Sequence, residues 1–316
     1  EQILDLWMDV YPDTERERWR GELLSIPESL THTYVAAENG RVLSTALLWI
    51  REMNDSSGLP RRTGNVSHVA THPEHRNRGH AKKLLELVIH AMEQERCAIS
   101  TLFTSEEARP LYEKLGWQTC PLTLWQGMLA NMKLPESANY SIRLAQLSEE
   151  PNLWEALSDI YAEFNESRPL TIRRDELTWK RFIAFKITDW FQVGAALWMA
   201  YRPESPEKIC GYLLAHGSGQ GFLVAEAGVR EGHREAFPHL LGKVISAYEE
   251  GQPVGGRLYL PNEPDVTALL HSCFEPLTQI ESEDMMVRQI DSNADVSDVM
   301  MPRSQAGAMF WLLDQL

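Results

Sequence analysis

The segment Val66-Ser67-His68-Val69-Ala70-Thr71-His72-Pro73-Glu74-His75-Arg76-Asn77-Arg78-Gly79-His80-Ala81 joins an apolar run, a proline stop, a basic turn with one glycine and the start of a new apolar pattern. It reads as a strand entering a tight turn that opens a helix. The first amides of a helix lack partners inside it and point outward along the positive end of its dipole, so such a turn can hold an anion. A diphosphate there would accept N–H bonds from the turn and be neutralised by Arg76, Arg78, Lys82 or Lys83. Gly79 suits a backbone that must come close to phosphate oxygens, because a side chain would hold them off. An ordinary solvated turn before a surface helix has the same spacing, and spacing by itself leaves both readings open.

Two other groupings look chemical. His68, His72, His75 and His80 with Glu74 invite a metal reading, but Pro73 breaks the helical spacing that would bring two imidazoles onto one face, and no metal is expected. Gly217-Ser218-Gly219-Gln220-Gly221 lies between two strand-like runs, so it reads as a flexible hairpin turn and not as a dinucleotide fingerprint.

The elements that must position the basic turn follow from periodicity. Helices are predicted near Ile3 to Met8 and Glu15 to Leu24, and a hairpin over Thr33 to Ala37 and Val42 to Ile50. A polar loop, Asn54 to Pro60, precedes a buried strand at Val66 to Thr71. Ala81, Leu84, Leu85, Val88, Ile89 and Met92 then mark an amphipathic helix, followed by a strand at Cys97 to Phe103, a helix near Glu106 to Leu115 and strands around Trp117 to Met128. After the polar stretch Lys133 to Asn139 a second series begins. It has strands at Ile142 to Leu144, Gly194 to Tyr201, Ile209 to Ala215, Phe222 to Ala227 and Arg257 to Leu260. Its helices fall at Leu153 to Phe164, Glu176 to Phe185, Phe237 to Glu249 and Asp265 to Ser272, and Met285 to Ile290 is predicted to close its sheet. Leu84, Leu85, Val88, Ile89, Ala91 and Glu93 match Leu240, Leu241, Val244, Ile245, Ala247 and Glu249 at one constant offset, which suggests a duplication.

Composition narrows the partners. In 316 residues, 45 acidic against 30 basic side chains give a net charge of −15, which repels phosphate backbones and favours cationic small molecules or basic peptides over nucleic acid. No apolar run nears the roughly 20 residues of a membrane span, the longest being Val193 to Tyr201. Cys97, Cys120, Cys210 and Cys273 are scattered, with no C-x-x-C pair, and no secretory signal is visible. A reducing, cytoplasmic protein is expected, with no membrane partner and with homo-oligomerisation left open.

Arg76-Asn77-Arg78-Gly79-His80-Ala81 resembles the Arg/Gln-x-x-Gly-x-Gly/Ala signature of the GNAT superfamily of N-acetyltransferases. It is followed, one helix and one strand later, by Ala108-Arg109-Pro110-Leu111-Tyr112-Glu113-Lys114-Leu115-Gly116-Trp117, which is similar to that family's Ala-x-x-Leu-Tyr-Glu-Lys-x-Gly-Phe segment. The resemblance covers roughly residues 1 to 130 and implies acetyl-coenzyme A bound across a splayed pair of parallel strands. Position by position, it implies that Val69, Ala70 and Thr71 offer main-chain groups to the pantetheine arm and that Arg76, Asn77, Arg78, Gly79, His80 and Ala81 hold the pyrophosphate. It also implies that Tyr112 protonates the departing thiolate, although a tyrosine at that spacing could equally cover core with its ring. Ser105 stands where relatives often carry an asparagine that touches the coenzyme, and the family's first strand has no counterpart before Ile3.

The resemblance extends in plan to tandem relatives, the enhanced intracellular survival aminoglycoside acetyltransferases and mycothiol synthase. The expected architecture is α/β with mixed sheets: a catalytic domain at 1–135 and a degenerate GNAT-like domain with a C-terminal tail at 140–316, each a splayed sheet flanked by helices. In the second copy Gly232 stands opposite Arg76, Glu235 opposite Gly79 and Leu269 opposite Tyr112, so the chemistry is expected in the first copy alone. His68 is the candidate general base, with a buried structural histidine as the alternative. In some tandem relatives the C-terminal carboxylate takes that role, here Leu316. The expected reaction is acetyl transfer from acetyl-CoA, as cosubstrate, to a primary amine of a small cationic molecule. Peptide or protein lysine acetylation and a non-catalytic acyl-CoA sensor are the alternatives.

Overall fold

The computed structural model describes residues 1–130, 139–147, 152–218, 221–248, 255–294, 297 and 307–315. Helices α1 (Gln2–Val10) and α2 (Arg16–Ser25) lead into β1 (Thr33–Glu38), β2 (Arg41–Asn54) and β3 (Pro60–Thr71). A 3-10 turn at Pro73–His75 precedes α3 (His80–Gln94), and β4 (Ile99–Phe103), α4 (Arg109–Glu113), β5 (Gln118–Thr119) and β6 (Leu122–Leu129) follow. The second series contains β7 (Ser141–Leu144), α5 (Leu153–Asn165), β8 (Ile172–Arg173) and α6 (Glu176–Thr178), then a π-helical turn at Trp179–Ile183 that runs into α7 (Ala184–Gln192). It continues with β9 (Ala195–Arg202), β10 (Ser205–Ser218), β11 (Gly221–Val229), α8 (Ala236–Tyr248), β12 (Gly255–Leu258), α9 (Pro264–Cys273), β13 (Phe274–Ser282) and β14 (Met285–Gln289). Hairpin β2–β3 is longer than its apolar pattern: the strands pair out to Asn54 and Pro60, the two ends of the stretch read from sequence as loop.

These elements build two mixed sheets, ordered β1-β2-β3-β4-β14-β5, with β8 on β2, and β13-β6-β12-β11-β10-β9-β7. The same unit appears twice. Helix α3 buries Leu84, Leu85, Val88 and Met92 against β2 as α8 buries Leu240, Leu241, Val244 and Ile245 against β10. Among the described residues each sheet has one parallel pair, β3 with β4 and β11 with β12.

The sheets exchange strands. Strand β14 was expected to close the second sheet, but it lies between β4 and β5 of the first, while β6 lies between β12 and β13 of the second. The division expected at residues 135–140 therefore follows chain order and not sheet membership. Met285, Met286 and Val287 are all fully buried, as a strand covered on both faces requires, and nothing in such a run says which sheet will take it. The two halves are thus laced together.

Further packing sets the site. A Cβ on Gly21 would stand 2.5 Å from Phe185 Cε2, so glycine lets α2 close onto α7 of the second half. The apolar tail ending in a 3-10 turn at Leu312–Asp314 buries Met309, Phe310, Trp311 and Leu313. Among the described residues no helix is long and apolar enough to cross a membrane.

Candidate active site

The turn after β3 has the conformation an anion needs. Asn77 and Gly79 take left-handed φ values of +60° and +81°, which aim successive amides to one side, and α3 begins with no side-chain cap. A Cβ added at Gly79 would meet no atom within 4 Å, so the space above it is open to a ligand. Arg76 Nε donates to the Thr71 carbonyl (3.3 Å) and Arg78 Nη2 to the Glu74 carbonyl (3.1 Å), fixing both guanidinium groups beside the turn on exposed side chains. His80 and Ala81 form the first residues of α3. Lys82 is drawn to Glu86 on the helix surface, 3.6 Å away.

The slot that leads away from this turn is the splay between β3 and β4. Their parallel pairing runs from Thr63↔Ile99 to Val66↔Leu102, while β2 stays paired with β3 as far as Thr71. Beyond Val66, β3 has no strand partner on that side among the described residues, so its main chain can bond a ligand instead. The Ala70 carbonyl already accepts the Ser44 hydroxyl (2.8 Å), and Thr71 Oγ1 lies 2.8 Å from the same Ser44 oxygen. A bulge interrupts the β2–β3 register between Thr45 and Leu47, so that His68 and Val69 together face Ala46. Trp7 Nε1 donates to Thr45 Oγ1 (3.0 Å), which donates to the His68 carbonyl (2.9 Å), tying α1 to the bulge.

Tyr112 lies on α4 with its ring edge-on to Trp117 at 6.1 Å, and its residue is 6% exposed. Burial pushes its hydroxyl well above the ordinary phenol range, with Tyr11 adding to the rise and a hydrogen bond to Thr104 opposing it. The group is a permanent donor at neutral pH. Tyr11, at the end of α1, interacts electrostatically with both Arg76 and Tyr112.

His68 turns its ring onto the other side, under α1 and α2. It stacks on Trp7 (4.5 Å between centroids) and meets Trp19 edge-on (5.7 Å), and its Nδ1 lies 3.0 Å from Ser67 Oγ. Burial lowers its pKa, Glu22 opposes this and Lys186 of the second half adds to it, so the ring is neutral at pH 7.

Other expected residues are placed differently. The Ser105 hydroxyl is engaged by the Glu107 carboxylate, and the Ser105 carbonyl accepts the amides of Ala108 (3.2 Å) and Arg109 (3.1 Å), so Ser105 serves to open α4. Leu316 lies outside the described residues; its neighbour Gln315 is held by Lys186 Nζ, which donates to its carbonyl at 2.8 Å. Contrary to the expectation from Pro73, the 3-10 turn gathers His72, Glu74 and His75, with ligand atoms all within 4.8 Å of one another. Yet His72 Nε2 lies 2.9 Å from Arg41 Nη2, His72 Nδ1 accepts the Glu74 amide, and His75 Nδ1 lies 3.4 Å from Arg78 Nη1. Two guanidinium groups at such a cluster disfavour a cation.

Sequence reasoning missed a buried ionic centre that locks the tail between the sheets. Arg174 forks onto Glu226 (2.9 and 2.6 Å) and Asp314 (3.0 and 2.9 Å), all three fully buried side chains. Tyr212 donates to Glu226 (2.7 Å), Tyr161 to Asp314 (3.2 Å), and Arg51 to the Asp314 carbonyl (3.0 Å) and to Asn65 Oδ1 (2.8 Å).

The second copy's turn is filled from within. Gly232 keeps a left-handed φ of +73°, but the Glu231 amide donates to the Glu163 carboxylate of α5. Arg230 pairs with Glu163 (3.3 Å) and Arg234 with Asp265 (2.6 Å), so an internal carboxylate stands where the first copy offers free amides.

A model of the acetyltransferase (GNAT) domain family matches residues 1–120. A search among curated proteins finds no match. Among solved structures, the fold is similar to a probable N-acyltransferase from Enterococcus faecalis V583, with a TM-score of 0.69 and 14% identity over 92% of this chain and 70% of that one. It is also similar to Eis1 from Mycobacterium abscessus, with a TM-score of 0.61 and 16% identity over 93% of this chain and 72% of that one. A tandem GNAT protein from the clavulanic acid biosynthesis pathway gives a TM-score of 0.52 and 16% identity over 92% of this chain and 95% of that one. Residues 1–120 therefore match the acetyltransferase (GNAT) domain family, and the fold of the whole chain is similar to that of a tandem GNAT protein.

Proposed function

We propose that the protein transfers the acetyl group of acetyl-CoA directly to a primary amine of a small cationic molecule. The observation that carries this reading is the end of the β3–β4 pairing at Val66 ahead of the left-handed turn at Asn77 and Gly79, and the buried phenol of Tyr112 supports it. Acetyl-CoA would supply the acyl group as a thioester. The turn from Arg76 to Ala81 binds its diphosphate, and the main chain of Val69, Ala70 and Thr71 lies along its arm. His68 takes the proton of the attacking ammonium group, and Tyr112 donates a proton to the leaving sulfur. Ser105 and a metal have no part in this scheme.

In this reading the acceptor amine approaches from the side of α1 and α2, where Trp7, Trp19 and Glu22 surround His68 and Lys186 of the second half lies close enough to act on its charge. Aromatic faces with a carboxylate suit an amine cation, as does the net charge of −15. The second half binds no coenzyme in this reading, because Glu163 occupies its turn and Leu269 replaces the phenol; it walls the acceptor pocket. Thiol release with a panel of polyamines, aminoglycosides and lysine peptides tests the assignment. Release with the small amines is expected. Preference for peptides would move the acceptor to protein lysine, and coenzyme binding without turnover on any amine would make the protein a sensor.

A further inference from the structure

His68 occupies a costly place. It is a non-glycine residue at φ +48° inside a bulge, a conformation that a folded chain keeps only when its surroundings enforce it. Its side chain is 5% exposed, clamped between Trp7 and Trp19, and its Nε2 points at Glu22 Oε1 across 3.7 Å. That separation is longer than a hydrogen bond and short enough for strong attraction once the ring is charged. Glu22 is the outer member, 15% exposed, and reaches this position because Gly21 lets α2 settle on Phe185 of α7. Among the described residues the charged groups that act on the ring come from α2 and α7: Glu22 favours the imidazolium and Lys186 opposes it, while Ser67, Trp7 and Trp19 are uncharged.

We infer that Glu22 is a positioning residue for His68, holding its basicity in the range needed to deprotonate the acceptor. This rests on the acyl-transfer reading above. The acceptor ammonium gives one proton to His68 Nε2, and its nitrogen then forms the bond to the acyl carbon. A second N–H proton is lost as the C–S bond breaks, and the Tyr112 hydroxyl supplies the proton that the sulfur keeps. The phenol regains its proton from the nitrogen, and the proton on His68 leaves to water past Glu22. One ammonium and one thioester thus give one amide, one thiol and one free proton.

The test pairs an NMR titration of the His68 ring with pH profiles of kcat/KM, in the full-length protein and in Glu22→Gln. The glutamine keeps the shape and removes the charge. The expected result is a fall of about one unit in the His68 pKa, an acid limb displaced by the same amount, and kcat lowered about tenfold with the amine KM within a factor of about three. Lys186→Met should move the His68 pKa in the opposite direction, and Glu22→Asp should recover part of the loss. An unchanged His68 pKa in Glu22→Gln overturns the inference, as does a displaced pKa with an unmoved acid limb. A loss confined to KM would make Glu22 an amine-binding residue instead. If the unmodified protein turns over no amine, the acyl-transfer reading fails and the proton relay fails with it, while the NMR titration still reports whether the two groups are coupled.

Discussion

Replacing Gly79 by alanine separates two consequences that are usually mixed. At φ +81° an added Cβ is strained whatever its surroundings, at a cost of roughly 1–2 kcal/mol. Because nothing lies within 4 Å of that Cβ, no clash adds to this, and the loss of folding stability should stop there. Coenzyme binding should suffer more, since the methyl group would stand over the amides that face the diphosphate. Two lost amide bonds to charged oxygens, at roughly 1.5 kcal/mol each, give about 3 kcal/mol, or a Kd for CoA weakened on the order of 100-fold. Gly232→Ala is the internal control, with φ +73° and nothing within 4 Å, so it carries equal strain in a turn already filled by Glu163. Urea unfolding and isothermal titration with CoA on both variants decide the matter. CoA affinity unchanged in Gly79→Ala, or weakened equally in Gly232→Ala, would refute the reasoning.

Tyr112→Phe should lower kcat by about 100-fold or more if the phenol is the proton donor, while CoA affinity measured by titration changes little. Turnover that survives intact would assign Tyr112 to the core alone. The pKa of His68 is held below its unfolded value by burial, so the unfolded chain binds more protons in that window. Stability should therefore be fully present above the ordinary histidine pKa and decline as pH falls through it, and His68→Gln should flatten that decline in denaturant titrations. Arg174→Met leaves Glu226 and Asp314 buried without a cation, which should cost about 3–5 kcal/mol and be read as a lower urea midpoint; a variant as stable as the parent would mean that the centre adds nothing.

Much of the first copy was legible because its signals are local. Gly79 beside Arg76 and Arg78, and the apolar spacing from Leu84 to Met92, specify a turn and a helix through neighbours in the chain, and α3 begins where they say. The strand exchange was not legible: Met285 to Ile290 and Trp117 to Met128 read as strands, but the partner of a strand is chosen by residues far away. Nor could the sequence separate Asp314, Glu226 and Arg174 from the many charges left in water, because burial is a property of the assembled sheets. Pro73 misled in a specific way. It rules out an α-helical pair of histidines, but a 3-10 turn needs only three residues and brings His72 and His75 to 5.5 Å between ring centroids. Gly232 shows the converse limit: the turn survives in the second copy with its φ unchanged in sign, and only the carboxylate of Glu163, distant in sequence, reveals that it has been filled.

Amide hydrogen exchange with and without CoA tests the central claim most directly, because it reads the backbone groups themselves. The account predicts that CoA slows exchange at residues 77–81 and leaves residues 231–236 unaffected. Unchanged exchange at 77–81 in the presence of saturating CoA, or protection in the second turn in place of the first, would contradict it.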